Sequence, residues 1–355
     1  MSSPSSAPRA PRWYVVLAVL VGLSAWYYFS PAKVRGPTVI RGPIMGTTFT
    51  VKLADGLSPS AYAKAEQAVW TALNAVNDRM STYIPESEVS RFAGAPAGVP
   101  FALSASTVEV VQKALAISAA TDGAFDVTVR PLVDAWGFGP DGRPERKPGA
   151  DATSALLQRI GYDKLRLDAE KKTLTKTTSS VSIDLSAIAK GYAVDRVAAG
   201  LEALGHRDYL VEVGGEMRAR GQRGAKGVWR VGIESPKTDG RSVARVIALK
   251  DRGLATSGNY RNFYMEDGVR YAHTIDPKSG QPVRHRLQSV SVIHPESAMA
   301  DGWATALMVL GEAEAIRVSK AEGLAALFMI SGEDGGIELE MTDAFKPFLV
   351  NVGDE

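Results

Sequence analysis

The chain has 355 residues, of which 41 are lysine or arginine and 39 are aspartate or glutamate, so its formal net charge is only +2. This near balance, without a polybasic run, gives no sign of nucleic-acid binding. The sequence contains no cysteine, which excludes disulfides, thiolate metal ligands, a cysteine nucleophile and a lipid anchor on cysteine.

The N-terminal part has a composition of its own. A tail rich in Ser, Pro and Ala (1–12) precedes an uncharged run at 13–29, which has aromatic residues at both ends. As a helix, this run would be roughly 25 Å long, which is short but sufficient to cross a bilayer. No clear small-x-small cleavage site follows it. We therefore predict an uncleaved transmembrane anchor with the folded domain outside the cytoplasm; a cleaved signal segment is the alternative.

After a proline-containing linker at 30–43, one folded domain is predicted over 44–355. Its helices are recognised by apolar positions three and four residues apart, and its strands by alternation and β-branched content. The predicted helices before the central stretch span 58–77, 87–92, 104–121 and 151–160, and the predicted strands span 44–53, 165–167, 173–175, 209–213, 216–219, 229–233, 244–249, 253–257 and 288–293. A strand-like apolar run at 123–129 leads into a glycine-aromatic loop. This mixture of long helices and hairpin-like strands predicts an α+β fold.

The domain is organised around the stretch 182–193. It begins with a β-branched run, 181–183, that predicts a short strand, and continues as a helix. Ser186 is placed to cap the start of that helix, and Gly205 is placed to end it.

Asp184 and Lys190 flank this strand-to-helix junction. Free backbone N–H groups and carbonyls at such a junction are available to a ligand. The alternative is an ordinary capped helix with a solvated lysine.

A later predicted helix carries a candidate metal site. Ser297 is a plausible N-cap, Asp301 and Thr305 stand one turn apart on one face, and Gly311 ends the helix. A carboxylate and a hydroxyl suit a hard cation such as Mg²⁺. The alternative is a first-turn aspartate favoured by the helix dipole.

Other common chemistries find no support in the sequence. There is no G-x-S-x-G elbow, and the four histidines show no zinc-type spacing. His273 lies in a strand-like run, 271–277, that stops at a proline, so its side chain could point into a cleft; a packed core histidine is the alternative. The pair Gly214–Gly215 permits close approach of a ligand, or is merely a turn.

Eight segments in collinear order, covering roughly residues 40 to 350, resemble the ApbE-type FAD:protein FMN transferases, a flavin transferase family. Those segments are 45–47 (Met-Gly-Thr), 80–83 (Met-Ser-Thr-Tyr), 125–128 (Phe-Asp-Val-Thr) with 136–139 (Trp-Gly-Phe-Gly), 183–192 (Ile-Asp-Leu-Ser-Ala-Ile-Ala-Lys-Gly-Tyr), 213–216 (Val-Gly-Gly-Glu), 255–258 (Ala-Thr-Ser-Gly), 273–277 (His-Thr-Ile-Asp-Pro) and 300–307 (Ala-Asp-Gly-Trp-Ala-Thr-Ala-Leu).

The resemblance implies a single ApbE-like domain and a Mg²⁺-dependent reaction on FAD. FMN is joined to a threonine or serine hydroxyl of a target protein, and AMP is released. The implied targets are membrane redox subunits, and the implied place is the periplasmic side of the inner membrane. By position, the residues implied to contact FAD are Met45, Tyr83, Ala124, Phe125, Asp126, Asp184, Lys190 and Ile275. The implied metal ligands are the Ala187 carbonyl, Asp301 and Thr305, and the implied catalytic residues are His273, Asp301 and Lys190.

Two departures from the family pattern stand out. Many relatives are anchored through a lipid-modified cysteine, which this chain lacks. Glu216 follows the glycine pair where relatives often have a shorter aspartate or asparagine, which leaves its role undecided. Two other functions remain open at this stage: an FAD pyrophosphatase that forms FMN and AMP, and a membrane-anchored flavin carrier without catalysis.

Overall fold

The computed structural model describes residues 36–350, apart from 140, 141, 143, 145, 237–241 and 261. The tail at 1–12 and the transmembrane anchor predicted at 13–29 lie outside the described residues. Within the described ranges, no helix combines the length and the apolar character that a bilayer crossing needs.

The helices predicted from apolar spacing are confirmed. Three of them begin at serine caps, because the hydroxyl oxygens of Ser58, Ser87 and Ser104 accept hydrogen bonds from backbone N–H groups three residues ahead. The helices are α1 (Pro59–Met80), α2 (Glu88–Ala93), α3 (Ala105–Ala120), α4 (Arg130–Ala135), α5 (Ala150–Leu157), α6 (Ser186–Ala203), α7 (Ser297–Leu310) and α8 (Glu312–Ala321).

Most strands also lie where alternation predicted them. The strands are β1 (Thr38–Ile44), β2 (Thr47–Leu53), β3 (Phe101–Ala102), β4 (Leu165–Asp168), β5 (Thr173–Lys176), β6 (Tyr209–Val213), β7 (Glu216–Arg220), β8 (Trp229–Glu234), β9 (Val243–Leu249), β10 (Arg252–Gly258), β11 (Phe263–Glu266), β12 (Val269–Ala272), β13 (Ile275–Asp276), β14 (Gln281–Pro282), β15 (Leu287–His294), β16 (Ala325–Ser331) and β17 (Ile337–Met341).

The main sheet has eight strands in the order β1-β2-β6-β7-β10-β15-β16-β17, and all neighbours are antiparallel. Helices α1, α3, α6 and α7 pack on one face, and the β8–β9 hairpin covers part of the other face. The α+β prediction is therefore confirmed.

Strand β16 explains why the sheet can be covered on both sides. Ala326, Phe328 and Ile330 join the core under the helices, whereas Ala325, Leu327 and Met329 join the core on the opposite face. Successive side chains of a strand point to opposite faces, so a strand buried on both faces reads as a continuous apolar run.

The predicted strand at 44–53 is wrong as a single element. Residues 38–53 form a hairpin whose turn is Met45–Gly46, and both turn residues have positive φ, at 49° and 71°. Such values are typical of a tight hairpin turn that matches the twist of its strands. The hairpin also begins inside the stretch predicted as a linker, so the folded part starts before residue 44.

Two other predicted strands are wrong for a shared reason. The runs 181–183 and 123–129 are apolar and largely buried, but neither pairs with another strand. They are joined by a hydrogen bond from the Asp184 N–H to the Val127 carbonyl, 2.7 Å long. The run 271–277 is interrupted as well, because β12 ends at Ala272 and β13 begins at Ile275. Buried extended chain needs apolar residues whether or not it joins a sheet.

Candidate functional site

A cavity of about 440 Å³ opens where the first turns of α6, the middle of α7 and several loops meet. The other lining residues lie mainly in the segments 82–83, 124–139 and 256–277, which include short helical and strand pieces as well as loops. All the predicted site residues except one line this cavity. They are Tyr83, Ala124, Phe125, Asp126, Asp184, Ala187, Lys190, His273, Ile275, Asp301 and Thr305.

The exception is Met45, which is not among the residues that line the cavity. It forms the β1–β2 turn, which lies next to the Gly214–Gly215 turn. A Cβ atom on Gly214 would stand 2.8 Å from Thr47 Cγ2 and 3.3 Å from Lys190 Cδ. The glycine pair is therefore a tight turn between β6 and β7 that also allows Lys190 to approach.

The crossing of α6 and α7 is the structural centre of the site. Gly191 lies at this crossing, where a Cβ atom would stand 2.2 Å from the Ser297 carbonyl oxygen and 2.8 Å from Asp301 Cβ. The Gly191 N–H donates to Asp301 Oδ2 at 3.0 Å. An N–H has one hydrogen, so this bond competes with the usual helical bond to the Ala187 carbonyl, four residues earlier. The Ala187 carbonyl therefore shares this N–H with the Asp301 carboxylate.

A second contact fixes how the two helices are aligned. Asp195 on α6 accepts hydrogen bonds from the Ser297 and Ala298 N–H groups, at 3.0 and 2.9 Å. The prediction that Ser297 caps its own helix is therefore wrong, since the helix begins at Ser297 and no side chain of its own caps it. From the contact Asp195–Ser297 to the contact Gly191–Asp301, the position moves back four residues along α6 and forward four residues along α7. One further step of this kind, toward the cavity, brings Ala187 opposite Thr305.

The start of α6 also differs from the prediction that Ser186 is the cap. Ser186 is the first helical residue, and its N–H and hydroxyl both donate to Asp184 Oδ1, at 2.9 and 2.5 Å. Gly205 does follow the end of the helix, with φ of 89°, and the His206 N–H donates to the Leu201 carbonyl as in a Schellman motif. At the start of the helix, the bonds from Ser186 fix the Asp184 carboxylate at the edge of the cavity.

Two acidic side chains share one lysine in the site. Lys190 Nζ lies 3.2 Å from Glu216 Oε1 and 3.9 Å from Asp301 Oδ2. Burial lowers the pKa of Lys190, but the charges of Asp301 and Glu216 outweigh it and raise the value above that of an ordinary lysine. Burial raises the pKa of Asp301, and it raises the pKa of Glu216 to about 8 against the attraction of Lys190. Glu216 Oε2 is buried without a hydrogen-bond partner among the described residues.

His273 faces the same cavity from the break between β12 and β13. Its Nδ1 lies 3.2 Å from the Asn262 carbonyl oxygen. A carbonyl only accepts, so Nδ1 carries the proton and the neutral ring keeps Nε2 as an acceptor. Burial lowers the pKa of His273, and the charge of Lys190 adds to this effect. The pKa of His273 therefore lies below the 6.5 of an unperturbed histidine.

Asp126 reaches the cavity through its loop, but both its carboxylate oxygens bond within the protein. Oδ1 accepts from the Thr128 N–H and hydroxyl, and Oδ2 accepts from the Tyr162 N–H at 2.9 Å. Burial raises the pKa of Asp126 in spite of these bonds. Its carboxylate holds the 124–130 loop in shape, whereas Tyr83, with 66% of its surface exposed, offers an open ring to a ligand.

The oxygen donors present fit a hard cation. Asp301 offers a buried carboxylate, Thr305 a hydroxyl one turn away, and Ala187 a carbonyl whose helical partner N–H is engaged by Asp301. Together with Glu216, the site has two carboxylates for one lysine. No group of three His, Asp or Glu side chains suited to a metal ion occurs in the described ranges, so a cation here would need hydroxyl and carbonyl ligands too.

Sequence reasoning left some lining residues without a role. Glu216 was noticed but undecided, and the structure places it against Lys190. Asn262 orients His273 through its backbone carbonyl, which has no signature in a sequence. Thr256 belongs to a recognised motif, and its hydroxyl lies 2.7 Å from that of Ser291 on the neighbouring strand.

Comparison with known proteins gives consistent matches. The family model described as "ApbE family" matches residues 45–328. An FAD:protein FMN transferase of Haemophilus influenzae is 41% identical over 336 residues, covering 93% of this chain and 96% of that protein. One from Escherichia coli K12 is 38% identical over 325 residues, covering 90% and 92%. The solved structure of flavin transferase ApbE from Vibrio cholerae superposes with a TM-score of 0.81 at 40% identity, covering 88% of this chain and 99% of that one.

Proposed function

The chain belongs to the ApbE family, and from this membership we infer that it is an FAD:protein FMN transferase. We propose that it takes FAD as its substrate and joins FMN to a serine or threonine hydroxyl of an acceptor protein. AMP leaves, and the reaction depends on Mg²⁺.

One observation carries this proposal. A lysine, an oxygen-donor set and a histidine with a free acceptor nitrogen all line one cavity; the lysine and the oxygen donors lie on two helices whose alignment is fixed by hydrogen bonds. Phosphoryl transfer requires little covalent participation by the protein, and depends mainly on positioning and on stabilising charge. The groups gathered around this cavity supply those two functions.

Lys190 is the cationic group of the site. Its ammonium is held against Glu216 and Asp301 at the start of α6, and its raised pKa keeps it charged at neutral pH. In the proposed reaction it offsets charge that develops on the pyrophosphate as the anhydride bond breaks. The backbone N–H groups in the first turn of α6 add the positive end of the helix dipole.

His273 is the proposed base. The acceptor hydroxyl oxygen attacks the phosphorus of the FMN half, and its proton passes to His273 Nε2. The bond between the two phosphates breaks, and AMP leaves with the electron pair of the bridging oxygen. The Asn262 carbonyl holds the opposite ring nitrogen throughout, so the histidine keeps one orientation.

Ala187, Asp301 and Thr305 would hold Mg²⁺. When bound, this ion would act as a Lewis acid and neutralise negative charge on the phosphates. The chain contributes the alignment of those three oxygens, which depends on the Gly191 and Asp195 contacts between α6 and α7. Without the close approach at Gly191, the Asp301 carboxylate would lie farther from the start of α6.

The experiment that tests the function is product analysis with purified protein, FAD and Mg²⁺, with and without an acceptor protein. We expect AMP to appear together with FMN-labelled acceptor, and little free FMN. Free FMN and AMP formed equally well without an acceptor would identify a pyrophosphatase instead. Unchanged FAD under all conditions would identify a flavin carrier.

The proposed partners and location follow from the family and from the apolar run at 13–29. We propose that the chain is anchored in the inner membrane, with the domain on the periplasmic side and membrane redox subunits as acceptors. The full chain should stay with membranes after an alkaline wash and keep its N-terminus. Recovery of a soluble form starting near residue 30 would contradict the anchor.

A further inference from the structure

Another cavity, of about 270 Å³, lies on the other side of the chain segment that contains His273. Its polar lining includes Asn259, Arg270, Arg284 and His285, and these four residues define what we call the arginine pocket. Ala272 lines the arginine pocket, and the next residue, His273, lines the 440 Å³ cavity proposed to bind FAD, which we call the FAD cavity. This segment of chain therefore forms a wall between the two cavities.

The charge in the arginine pocket is unbalanced. Among the described residues, no carboxylate lies within ion-pair distance of Arg270, which is partly buried, or of Arg284, which is exposed at the rim of the pocket. The Arg270 guanidinium lies 4.2 Å from the centre of the Phe263 ring and donates to the Asn259 carbonyl. The Arg284 guanidinium lies over the Tyr271 ring, at 5.1 Å. The partly buried Arg270 therefore has an aromatic ring and a carbonyl as partners, but no carboxylate among the described residues.

Unsatisfied polar atoms gather in the same place. Among the described residues, Arg270 Nε, Asn259 Oδ1 and His285 Nδ1 are each buried without a hydrogen-bond partner. His285 Nε2 lies 2.8 Å from the Met308 carbonyl oxygen, so Nε2 carries the proton and Nδ1 is left as an acceptor. Buried polar atoms are normally paired, and each exception calls for an explanation. Arg270 Nε–H is a donor, whereas Asn259 Oδ1 and His285 Nδ1 are acceptors, so a ligand that satisfies all three must both accept and donate hydrogen bonds.

We propose that the arginine pocket binds a small oxyanion that keeps a protonated oxygen, such as inorganic phosphate, in preference to an ionised carboxylate. The planar donor forks of guanidinium groups match such anions in geometry and in charge. A phosphate between Arg270 and Arg284 would accept from the Arg270 Nε–H, and its P–OH would donate to His285 Nδ1, which an ionised carboxylate lacks the proton to do. The site is separate from FAD transfer, so it can be tested without any flavin chemistry.

The experiment is calorimetric titration of the full protein, free of FAD and Mg²⁺, with inorganic phosphate and, separately, with malonate. Arg284→Gln and Arg270→Gln should each weaken binding of the recognised anion by roughly 10- to 100-fold, because each removes a charge-assisted contact. Arg317→Gln is the matched control, since Arg317 lies exposed on α8 and pairs with Glu314. We expect phosphate to bind more tightly than malonate, and binding of malonate alone would contradict the need for a protonated oxygen on the ligand.

Two further results would overturn the proposal. One is the absence of saturable binding of either anion. The other is binding that survives both arginine substitutions and is lost in Lys190→Gln, which would place the anion in the FAD cavity. If Arg270→Gln does not fold, Arg284→Gln decides alone, because its side chain is at the exposed side of the pocket.

Discussion

Replacing Gly191 with alanine tests whether the close approach of α6 and α7 builds the site. The added Cβ would stand 2.2 Å from the Ser297 carbonyl oxygen and 2.8 Å from Asp301 Cβ. The first of these neighbours is backbone, so no flexible side-chain end can simply move away from it. The two helices would have to separate, and the Gly191 N–H would move away from Asp301 Oδ2.

The size of the effect follows from two opposing terms. Alanine in a helix interior is favoured over glycine by about 1 kcal/mol. Forcing an extra carbon into a packed interior costs about 1–3 kcal/mol, and more where backbone must move. Gly200 on the same helix is the matched control, because its Cβ would meet only Ala68, at 3.7 Å, which is ordinary contact. We expect Gly191→Ala to destabilise the protein, and Gly200→Ala to stabilise it by about 0.4–1 kcal/mol.

The assay combines denaturant unfolding with the Mg²⁺ dependence of FMN transfer. Gly191→Ala should unfold at a lower denaturant concentration and need more Mg²⁺ for half-maximal rate, whereas Gly200→Ala should keep the parent's Mg²⁺ response. If Gly191→Ala is as stable as Gly200→Ala and responds normally to Mg²⁺, the close helix approach does not position Asp301.

Three further predictions concern the groups around the cavity. His273→Ala should fold, still bind FAD and transfer FMN roughly a hundred- to ten-thousand-fold more slowly. Because burial holds the pKa of His273 below 6.5, the transfer rate of the parent protein should fall only when the pH is below 6.5. A parent rate that still rises well above pH 6.5 would refute the assignment of His273 as the base. Asp301→Ala should abolish the Mg²⁺ response and Thr305→Ala should only weaken it; a normal response in Asp301→Ala would leave that residue a structural role. Asp195→Asn should cost about 1–3 kcal/mol of stability, because the amide NH2 cannot accept from one of the two N–H groups that the carboxylate holds; it should also shift the Mg²⁺ midpoint of a binding titration, and an unshifted midpoint would limit Asp195 to capping.

The stability of the protein should fall on acidification, as the transfer rate should. The folded-state pKa of His273 lies below the unfolded value of 6.5, so the unfolded chain binds more protons as the pH falls through this range. The stability that neutral His273 provides is therefore complete above pH 6.5 and is lost on acidification through its folded pKa.

Helices were predicted well from the sequence because their signals are local. Serine caps and apolar spacing locate α1, α2 and α3, and Gly205 marks the end of α6. The cap of α7 could not be predicted, because Asp195 lies 102 residues before Ser297 in the sequence. A local rule chose the nearest serine, whereas tertiary packing supplied a carboxylate from another helix.

Strands were predicted less well where burial and pairing diverge. The runs 181–183 and 123–129 have the apolar content of buried strands, but a single link between Asp184 and Val127 joins them. Apolar composition reports burial, and it does not report which backbone groups are paired. The Met45–Gly46 turn was missed because its first residue, Met45, is not of a type that normally takes a positive φ.

The candidate site shows the same difference between local and tertiary signals. The proposed site residues Lys190, Asp301 and His273 belong to motifs that the family resemblance identifies. The Asn262 carbonyl acts through the backbone, and the position of Glu216 beside Lys190 depends on the β6–β7 turn. Neither could be read from residue types alone.

Intact-mass and peptide mass spectrometry of a co-expressed acceptor tests the central claim most directly. A candidate membrane redox subunit should gain one FMN on a serine or threonine when it is expressed with the parent chain. The same subunit should remain unmodified when it is expressed with Asp301→Ala. An acceptor that stays unmodified with the folded parent, while FAD is converted to free FMN and AMP, would contradict the account.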